Sequence, residues 1–551
     1  MSTEPADSAG RRFSRRSFIK GVVGSTIAAA AGFGGTSCDK LRPSAKKSFS
    51  GRIAGADRNL GHRLLQQGQV LPDHTEKTGI VIVGGGIAGL SAARELQKNR
   101  NNDFVLLELD SNVGGNAVCG SNAVSPYPWG AHYVPIPGKD AVFVRELFEE
   151  LGIIEGYDGR GLPVYNEFYL CADPMERLLI HGRWQEGLIP QLGLTEKDKR
   201  QYREFFETMD RLKKAEGNDG RPAFSIPIDR SSSDERFRRY DAISMGRYMS
   251  DNGWDSEYLR WYINYCCRDD YGLTMDRVSA WAGMHYFAAR SGTAANADPH
   301  AVVTWPEGNG WIVNRMAEKF RGNIRCDACV LSIEQTAGGA AVDYYDADRK
   351  TVVRLLSKAV VYAAPRFTAF RVIRDFREKP PEYASRFVYA PWMVANVTVR
   401  GIPEGNGAAL AWDNVCYNSE SLGYVVANHQ EINRHREKTV LTCYFPLTSG
   451  PPEAERKRAA GMSYDAWAGL IVKDLSYMHS GIENYIEELD VWVWGHAMPG
   501  PTPGFIWGKA RFQAMRPLGR IFFAHSDMSG ISIFEEAQYR GILAARASLK
   551  I

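Results

Sequence analysis

The chain has 551 residues, of which 44% are hydrophobic and 24% charged, so it is long enough for two or three domains. This composition excludes collagen-like, disordered and disulfide-scaffold proteins. The net charge of +3 resides entirely in the first 37 residues, and the remainder is formally neutral. No basic body remains to bind nucleic acid, which is therefore not expected as a partner.

The amino-terminal segment has the pattern of an export signal. Arg15 and Arg16 precede a small, apolar run over residues 21–35, which is shorter than the roughly 20 residues that span a membrane. We expect residues 1–37 to be a twin-arginine signal peptide read by the twin-arginine export machinery. The protein would then be periplasmic or otherwise exported.

Residues 36–38 (TSC) are similar to a bacterial lipobox, in which the cysteine carries a lipid. Cys38 is therefore either a lipid anchor or lies near an ordinary cleavage site. Residues 38–77 are polar and are expected to form a linker and lead-in. Cys326 and Cys329 form the single CxxC pair, without the second pair or the histidine that zinc or c-type haem requires, so no metal site is predicted.

The strongest motif is a dinucleotide-binding fingerprint. An apolar run at residues 79–83 predicts a buried parallel strand, and a glycine-rich turn over residues 84–89 (GGGIAG) follows it. Residues 90–98 predict a helix, and residues 104–107 predict a second strand that ends in Glu108. Strand, turn, helix, strand and acid occur in the order that a Rossmann unit requires.

Each position of the fingerprint has a physical role. Gly84 permits the tight turn, Gly86 allows the backbone to approach a pyrophosphate, and Gly89 allows the helix to pack on the strand. The helix start at Ile87 and Ala88 offers free N–H groups to phosphate. Glu108 accepts hydrogen bonds from ribose hydroxyls. NAD and FAD share this fingerprint, so the following residues must distinguish the two cofactors.

Gly114, Gly115 and Asn116 follow Glu108 with the spacing E-x5-G-G. This pattern resembles the second glycine motif of FAD enzymes in the flavin amine oxidase superfamily, where residue 116 is usually arginine. The resemblance implies FAD as the cofactor. Asn116 implies that one phosphate contact of the family is missing or differently supplied.

Further stretches extend the resemblance to the flavin amine oxidase superfamily. They are residues 129–133 (WGAHY), 305–311 (WPEGNGW), 359–365 (AVVYAAP) and 520–527 (RIFFAHSD). The resemblance implies that Gly130, Ala131 and His132 run near the flavin ring, that Val330 touches adenine, and that Asp527 contacts the cofactor. Asp527 is alternatively a helix N-cap. The signal peptide, the FAHSD ending and residues 391–397 (PWMVANV) most resemble a bacterial spermidine-dehydrogenase-like branch.

The implied fold is α/β. A Rossmann-type FAD-binding domain is assembled from residues 78–140, 295–370 and 508–551. An α+β substrate domain with a helical part comprises residues 141–294 and 371–507. Specificity is expected in the substrate domain.

Five residues are candidates for the catalytic site. Asp269 and Asp270 interrupt a helical region beside aromatic residues, where they either hold a cationic amine or form a helix cap or surface ion pair. Trp305 frames the substrate or belongs to the core. Asn396 stands where the resemblance expects a lysine near the flavin, which favours an acceptor other than oxygen. His496 shares one face of a strand with Trp492 and Trp494, and this face lines the pocket or is structural.

The sequence therefore predicts an exported FAD-dependent oxidoreductase that oxidises an amine or polyamine by hydride transfer to flavin N5. The electron acceptor would be a quinone, a haem protein or oxygen. Two alternatives remain open. One is a flavin desaturase or oxidase of an apolar substrate, and the other is a flavin-loaded electron carrier or binding protein without turnover.

Overall fold

The computed structural model describes residues 49–55, 58–65, 71–431 and 437–551. The expected signal peptide and Cys38 lie outside these residues, as does part of the expected lead-in. Among the residues described, no helix has the length and apolar character needed to cross a membrane.

The strands share two main sheets and three small ones. Numbered in chain order they are β1 Ile53–Ala54, β2 His74–Val83, β3 Phe104–Leu107, β4 Cys119–Ser121, β5 Pro126–Pro128, β6 Tyr133–Pro135, β7 Ile154–Tyr157, β8 Pro163–Tyr165, β9 Glu176–Ile180, β10 Arg183–Glu186, β11 Val302–Thr304, β12 Ile324–Arg325, β13 Ala328–Thr336, β14 Gly339–Asp346, β15 Thr351–Tyr362, β16 Tyr389–Val399, β17 Asp413–Cys416, β18 Tyr424–Val426, β19 Thr439–Pro446, β20 Ile486–Pro499 and β21 Ile521–Phe523.

The α-helices of the described residues range from one turn to five. They are α1 Arg58–Gly61, α2 Ile87–Lys98, α3 Val142–Glu150, α4 Glu196–Lys214, α5 Glu235–Arg238, α6 Met245–Asp251, α7 Glu257–Tyr271, α8 Ala280–Ala288, α9 Gly310–Glu318, α10 Arg366–Val372, α11 Arg374–Glu378, α12 Pro452–Ala460, α13 Tyr464–Met478, α14 Lys509–Ala514 and α15 Phe534–Ser548. Short 3-10 helices include Gly115–Ala117 and Ser526–Met528.

The first main sheet carries the glycine-rich turn. Its order is β12-β3-β2-β15-β14-β13, with β21 also paired to β15, and β2 is parallel to both β3 and β15. The inner ends of these strands are continuous Val, Ile and Leu runs, as expected for strands buried on both faces. Helix α2 packs between this sheet and α15, so closely that a Cβ on Gly541 would lie 2.1 Å from the Ala88 oxygen.

Strand β2 is longer than the sequence predicts. It begins at His74 instead of residue 79, because residues 74–78 pair in parallel with Val353–Ser357 of β15. This extension is largely exposed, so it lacks the apolar run by which the inner half was recognised. Residues 74–77, which the sequence assigns to the lead-in, therefore form part of a strand of this sheet.

The second main sheet has the order β1-β20-β16-β19-β18-β17-β9-β10. All eleven residues of β16 are buried between β20 and β19. Alternate residues of β16 point to opposite faces: Met393 and Ala395 pack on helix α13, whereas Trp392 and Val394 join an aromatic cluster on the other face. The aromatic face is the one that meets the candidate site.

A helical layer built mainly from α4, α7 and α8 packs around a third cluster of buried residues. The sequence predicts that residues 268–272 break helix α7, and this is wrong. The helix continues to Tyr271 and ends only at Gly272, which has a left-handed φ of 64°. The carboxylates of Asp269 and Asp270 therefore project from a regular helix.

Candidate active site

The glycine-rich turn is shaped by two kinds of glycine. A Cβ on Gly89 would lie 1.9 Å from the Gly84 oxygen, so packing within the protein requires glycine at 89. A Cβ on Gly86 would meet nothing closer than the Gly115 Cα at 3.8 Å. The protein alone leaves room at Gly86, at the start of helix α2, which fits a site where a ligand pyrophosphate approaches the backbone.

Glu108 lies at the end of β3, as predicted. Its carboxylate accepts hydrogen bonds from the Gly85 N–H at 2.7 Å and from the Asp110 N–H at 3.0 Å. Burial raises the pKa of Glu108 to about 7. Two carboxylate oxygens offer about four acceptor positions, so capacity remains for ribose hydroxyls.

The second glycine motif packs directly on the first. The Gly114 N–H donates to the Gly85 oxygen at 2.9 Å, and Gly115 has a left-handed φ of 55°. The side-chain amide of Asn116 donates to the Ala497 carbonyl of β20. Asn116 therefore joins the glycine motif to the second sheet instead of supplying the positive charge of an arginine.

Residues 128–133 form a segment whose carbonyl groups are all held by donors from other parts of the chain. The pairs are Asn396 Nδ2 to Pro128 O at 3.1 Å, Trp494 Nε1 to Trp129 O at 2.7 Å, Tyr444 Oη to Gly130 O at 2.9 Å, Asn309 N to Ala131 O at 3.0 Å, Thr304 Oγ1 to His132 O at 2.7 Å and Asn309 Nδ2 to Tyr133 O at 3.1 Å. Donors from both main parts of the molecule therefore position the segment that the resemblance assigns to the flavin ring.

Asn396 has a different environment from the one expected. Its Nδ2 donates to Pro128, and its Oδ1 accepts from the Thr442 hydroxyl at 2.7 Å. The side chain is buried and already bonded to two parts of the protein. The structure therefore gives Asn396 a positioning contact with the 128–133 segment.

His132 lies in an aromatic enclosure. Its ring stacks on Tyr444 with centroids 4.6 Å apart and lies 5.4 Å from the ring of Trp412. Burial lowers the pKa of His132 to about 4, so the imidazole is neutral at neutral pH. It therefore adds no positive charge to this part of the site.

Four carboxylates converge beside this enclosure, and we call Asp269, Glu176 and Asp413 the acidic cluster. The fourth, Asp270, is paired with Arg290 at 2.6 Å. No salt bridge within the described part of the chain reaches any member of the acidic cluster. Asp413 and Glu176 are direct register partners on the parallel strands β17 and β9, an arrangement that like charges disfavour.

Burial dominates the electrostatics of the acidic cluster. It raises the pKa of Asp269, Glu176 and Asp413. Repulsion adds to this effect, because Asp270 and Glu176 raise the pKa of Asp269, and Glu176 and Asp269 raise that of Asp413. The charge of Arg290 and a hydrogen bond from Tyr133 act in the opposite direction and lower the pKa of Asp269. A bound cation would therefore reduce the repulsion between these carboxylates.

Aromatic rings connect the acidic cluster to the 128–133 segment. Tyr265, Trp412, Tyr444 and Trp129 belong to one buried cluster on the face of the second sheet. The carboxylates of Asp413 and Asp269 raise the pKa of Tyr444, which also stacks on His132. The segment, the rings and the carboxylates therefore share one region of the molecule.

Sequence reasoning identified Asp269 and Asp270 but missed Glu176 and Asp413. Glu176 opens the short strand β9, and Asp413 opens β17, which lies more than 200 residues further along the chain. Neither belongs to a motif. Only the pairing of the two strands brings these carboxylates together.

The remaining catalytic candidates lie elsewhere. Trp305 is buried in the hydrophobic core beside Ile87 and stacks on Trp311. His496 stacks on Phe367 with centroids 4.1 Å apart and lies at an exposed position of β20. Trp492 and Trp494 stack on each other at 4.9 Å, as neighbours on one face of a strand do.

The last two predicted cofactor contacts are buried. Val330 lies in β13 beside an irregularity in its pairing with β14. Asp527 accepts from the Arg366 N–H at 2.6 Å, from the Tyr389 hydroxyl at 2.5 Å and from His525 Nδ1 at 2.6 Å. Its carboxylate thus ties the ends of β15 and β16 to the last segment. Asp527 lies within the 3-10 helix Ser526–Met528, whose N-cap is His525.

Sequence comparison agrees with the glycine motifs. Residues 82–151 match the NAD(P)-binding Rossmann-like domain family. The chain is 26% identical over 312 residues to a putative flavin-containing monoamine oxidase, AofH, of Mycobacterium tuberculosis. This match covers 55% of the chain, which spans 60% of the length of that relative.

Similar solved structures extend over most of the chain. A triple mutant of putrescine oxidase aligns with a TM-score of 0.63 at 16% identity, over 87% of this chain and 99% of that one. Cyclohexylamine oxidase from Brevibacterium oxydans IH-35A aligns with a TM-score of 0.60 at 14% identity, over 86% and 99%. A CLA-producing fatty acid isomerase from P. acnes aligns with a TM-score of 0.58 at 16% identity, over 85% and 98%. The chain thus has the dinucleotide-binding segment and the fold of the flavin amine oxidase superfamily, as its sequence motifs predict.

Proposed function

We propose that the chain is an exported FAD-dependent oxidoreductase that oxidises an amine or polyamine. The observation that carries this proposal is the acidic cluster. Three partly buried carboxylates, none of which forms a salt bridge among the described residues, lie beside the segment that the resemblance assigns to the flavin ring. Arg290, which attracts Asp269, is already paired with Asp270. Burying an unpaired charge costs several kcal/mol, so such a cluster is best explained by a cationic ligand.

The residues present fit FAD. Gly84, Gly86 and the start of helix α2 would hold the pyrophosphate, and Glu108 would accept from a ribose hydroxyl. The 128–133 segment would orient the ring through backbone groups that its six bound carbonyls keep in place. When bound, FAD accepts a hydride from a C–H bond adjacent to the amine nitrogen.

The acidic cluster would bind and prepare the amine. A bound ammonium group would donate hydrogen bonds to the carboxylates. It would also be attracted to the aromatic faces of Tyr444, Tyr265 and Trp412. A raised pKa makes Asp269 able to take a proton from the bound ammonium, so that the reacting nitrogen becomes neutral. The neutral imidazole of His132 does not oppose the entry of a cation.

The comparisons support an amine more than an apolar substrate. A putrescine oxidase bound to putrescine aligns with a TM-score of 0.62, and cyclohexylamine oxidase aligns similarly. The fatty acid isomerase neighbour supports the alternative of an apolar substrate. An apolar ligand, however, would leave the acidic cluster buried without compensation.

The remaining parts of the proposal concern the cellular context. Arg15 and Arg16 before an apolar run support export by the twin-arginine machinery, and Cys38 supports a lipid anchor. Such a protein would reside in the periplasm or on its membrane surface. Its reduced cofactor would pass electrons to a quinone, a haem protein or oxygen.

The decisive experiment is a visible absorption spectrum of the purified mature protein, before and after anaerobic addition of putrescine or spermidine. We expect flavin bands that bleach on addition of the amine. Flavin bands that persist with every amine would contradict amine oxidation and would favour an enzyme with an apolar substrate or an electron carrier. A folded protein that cannot take up FAD would overturn the proposal.

A further inference from the structure

Two stacked tryptophans lead from the core to the surface. The rings of Trp305 and Trp311 are nearly parallel, with centroids 4.8 Å apart and an angle of 4° between their planes. Trp305 is buried in the core around α2, whereas Trp311, near the start of α9, is partly exposed. The ring of Tyr169 lies 5.0 Å from Trp311 and 5.6 Å from Trp305.

The inner end of this stack adjoins the candidate active site. Thr304, the residue before Trp305, donates to the His132 carbonyl at 2.7 Å. The turn after Trp305 also packs on the same segment, because a Cβ on Gly308 would lie 2.8 Å from the His132 Cα. The stack therefore starts next to the 128–133 segment.

The outer end opens into a groove, which we call the tryptophan groove. Its volume is about 270 Å³, and it is lined by Glu150, Leu151, Tyr169, Trp311, Arg315, Glu318 and Lys319. Lys319 donates one hydrogen bond to Glu150, so two N–H groups of its ammonium remain for a ligand. Pockets for drug-sized ligands occupy roughly 300–1,000 Å³, so this groove suits a single ring. The Arg315 guanidinium lies 5.0 Å from the centre of the Trp311 ring.

We propose that the tryptophan groove binds a quinone, which accepts the electrons of the reduced cofactor. The inference rests on the proposed function. A quinone has a flat ring, which suits the walls of Tyr169 and Trp311, and two carbonyl oxygens, which accept hydrogen bonds from Arg315 and Lys319. Electron-transfer partners such as haem proteins dock over surfaces of up to about 600 Å² on each partner, and a ring-sized groove adds little to such a contact.

The reaction balances as a two-electron exchange. Reduced FAD loses two electrons and two protons and returns to its oxidised form. The quinone takes up two electrons, and its two carbonyl oxygens take up two protons from water, which the open groove admits. Trp305 and Trp311 provide a stacked path between the two sites, and the quinol hydroxyls can donate to Glu318.

The first test measures binding without turnover. Decylubiquinone is titrated into the oxidised holoprotein and the heat of binding is recorded. We expect saturable binding to the wild type, weakened at least tenfold by Trp311→Leu and by Arg315→Gln. Tyr477→Leu is the control, because this tyrosine is 60% exposed and does not line the groove. The variant should bind decylubiquinone as the wild type does. Equal binding by all four proteins would overturn the proposal.

The second test measures electron transfer separately from amine oxidation. The flavin is reduced by light, and its reoxidation by decylubiquinone is followed without oxygen. We expect Trp311→Leu to slow reoxidation at least tenfold, while anaerobic flavin reduction by the amine stays within twofold. If Trp311→Leu is reoxidised by decylubiquinone as fast as the wild type, the proposal that the groove binds a quinone is wrong. It is also wrong if the variant is slowed only when cytochrome c replaces the quinone as the acceptor. Failure of the amine to bleach the flavin overturns the proposed function alone, because photoreduction does not depend on it.

Discussion

The most informative residues are Glu176 and Asp413, which face each other across two parallel strands in a partly buried site. Neighbouring like charges at paired positions destabilise a sheet, and burial adds to the penalty. Two other partly buried carboxylates have partners: Asp229 pairs with Arg540, and Asp474 accepts from Ser421. Glu176 and Asp413, by contrast, form no salt bridge among the described residues, and they lie in the region where a cationic substrate is proposed.

Asp413→Asn should separate stability from function. Removing one of two facing carboxylates should stabilise the apoprotein at pH 8, by up to about 1 kcal/mol, because like charges at paired positions of a sheet repel each other. The same change should weaken amine binding at least tenfold, because the cluster loses a charge that attracts the ligand. Urea unfolding and anaerobic flavin reduction at varied putrescine concentration measure the two effects.

Asp474→Asn is the matched control. Burial raises the pKa of Asp474 as well, but Ser419 and Ser421 donate to it. This variant should lose about 1 kcal/mol of stability through its hydrogen bonds and leave amine affinity within twofold. An Asp413→Asn protein that binds putrescine as tightly as the wild type would contradict the role of the cluster.

Amine affinity should rise with pH between pH 6 and pH 8. Burial raises the pKa of Asp269 to about 7, so this carboxyl group is partly protonated in this range, and binding of a cation requires the ionised form. Binding should therefore release protons. Calorimetry of putrescine binding in two buffers of different ionisation heat measures this release, and an affinity that falls toward pH 8 would disprove it.

At the scale of elements, the fingerprint was predictable because it is local. The turn, helix α2 and strand β3 follow one another within about thirty residues, and strand β3 has the predicted bounds 104–107. Helix α7 extends further than the sequence predicts, because Asp269 and Asp270 belong to its last turn instead of interrupting it. Their burial against Arg290 and Tyr133 comes from other elements, which the helix sequence does not reveal.

Gly86→Ala and Gly89→Ala should behave in opposite ways. The methyl group of Gly86→Ala has room in the protein, so the fold should stay within about 1 kcal/mol of the wild type while FAD binding weakens at least tenfold. The methyl group of Gly89→Ala meets the Gly84 oxygen and should destabilise the fold by about 1–3 kcal/mol. Thermal unfolding of the apoprotein and FAD titration test the pair, and normal FAD affinity in Gly86→Ala would argue against the assigned pyrophosphate position.

At the scale of the whole molecule, buried titratable groups of both kinds should set the pH range of stability. Raised carboxyl pKa values, about 7 for Glu108 and Glu535, contribute stability that is present below the unfolded pKa and is lost as pH rises through 7. Lowered histidine pKa values, about 4 for His132, His285 and His479, contribute stability that is present above 6.5 and is lost as pH falls toward 4.

The apoprotein should therefore have its highest Tm near pH 6 and a lower Tm at pH 8. Putrescine should raise the Tm more at pH 8 than at pH 6, because the acidic cluster is then more fully ionised. Circular dichroism melts at both pH values, with and without putrescine, measure these shifts. A Tm that rises steadily to pH 8 without ligand would show that the buried carboxylates do not titrate as described.

The cofactor-binding motifs and the fold around them could be predicted from the amino-acid sequence alone. Its evidence is a set of glycines, apolar strands and an acid whose spacing is set by the turn they form, so neighbouring residues carry the information. The composition of the candidate substrate site became visible only in the tertiary structure. The acidic cluster joins carboxylates from β9, α7 and β17, and the 128–133 segment is held by side chains from β16, β19, β20 and the 304–309 region. Such contacts depend on strand pairing between distant segments, and pairing is set by packing of the whole molecule.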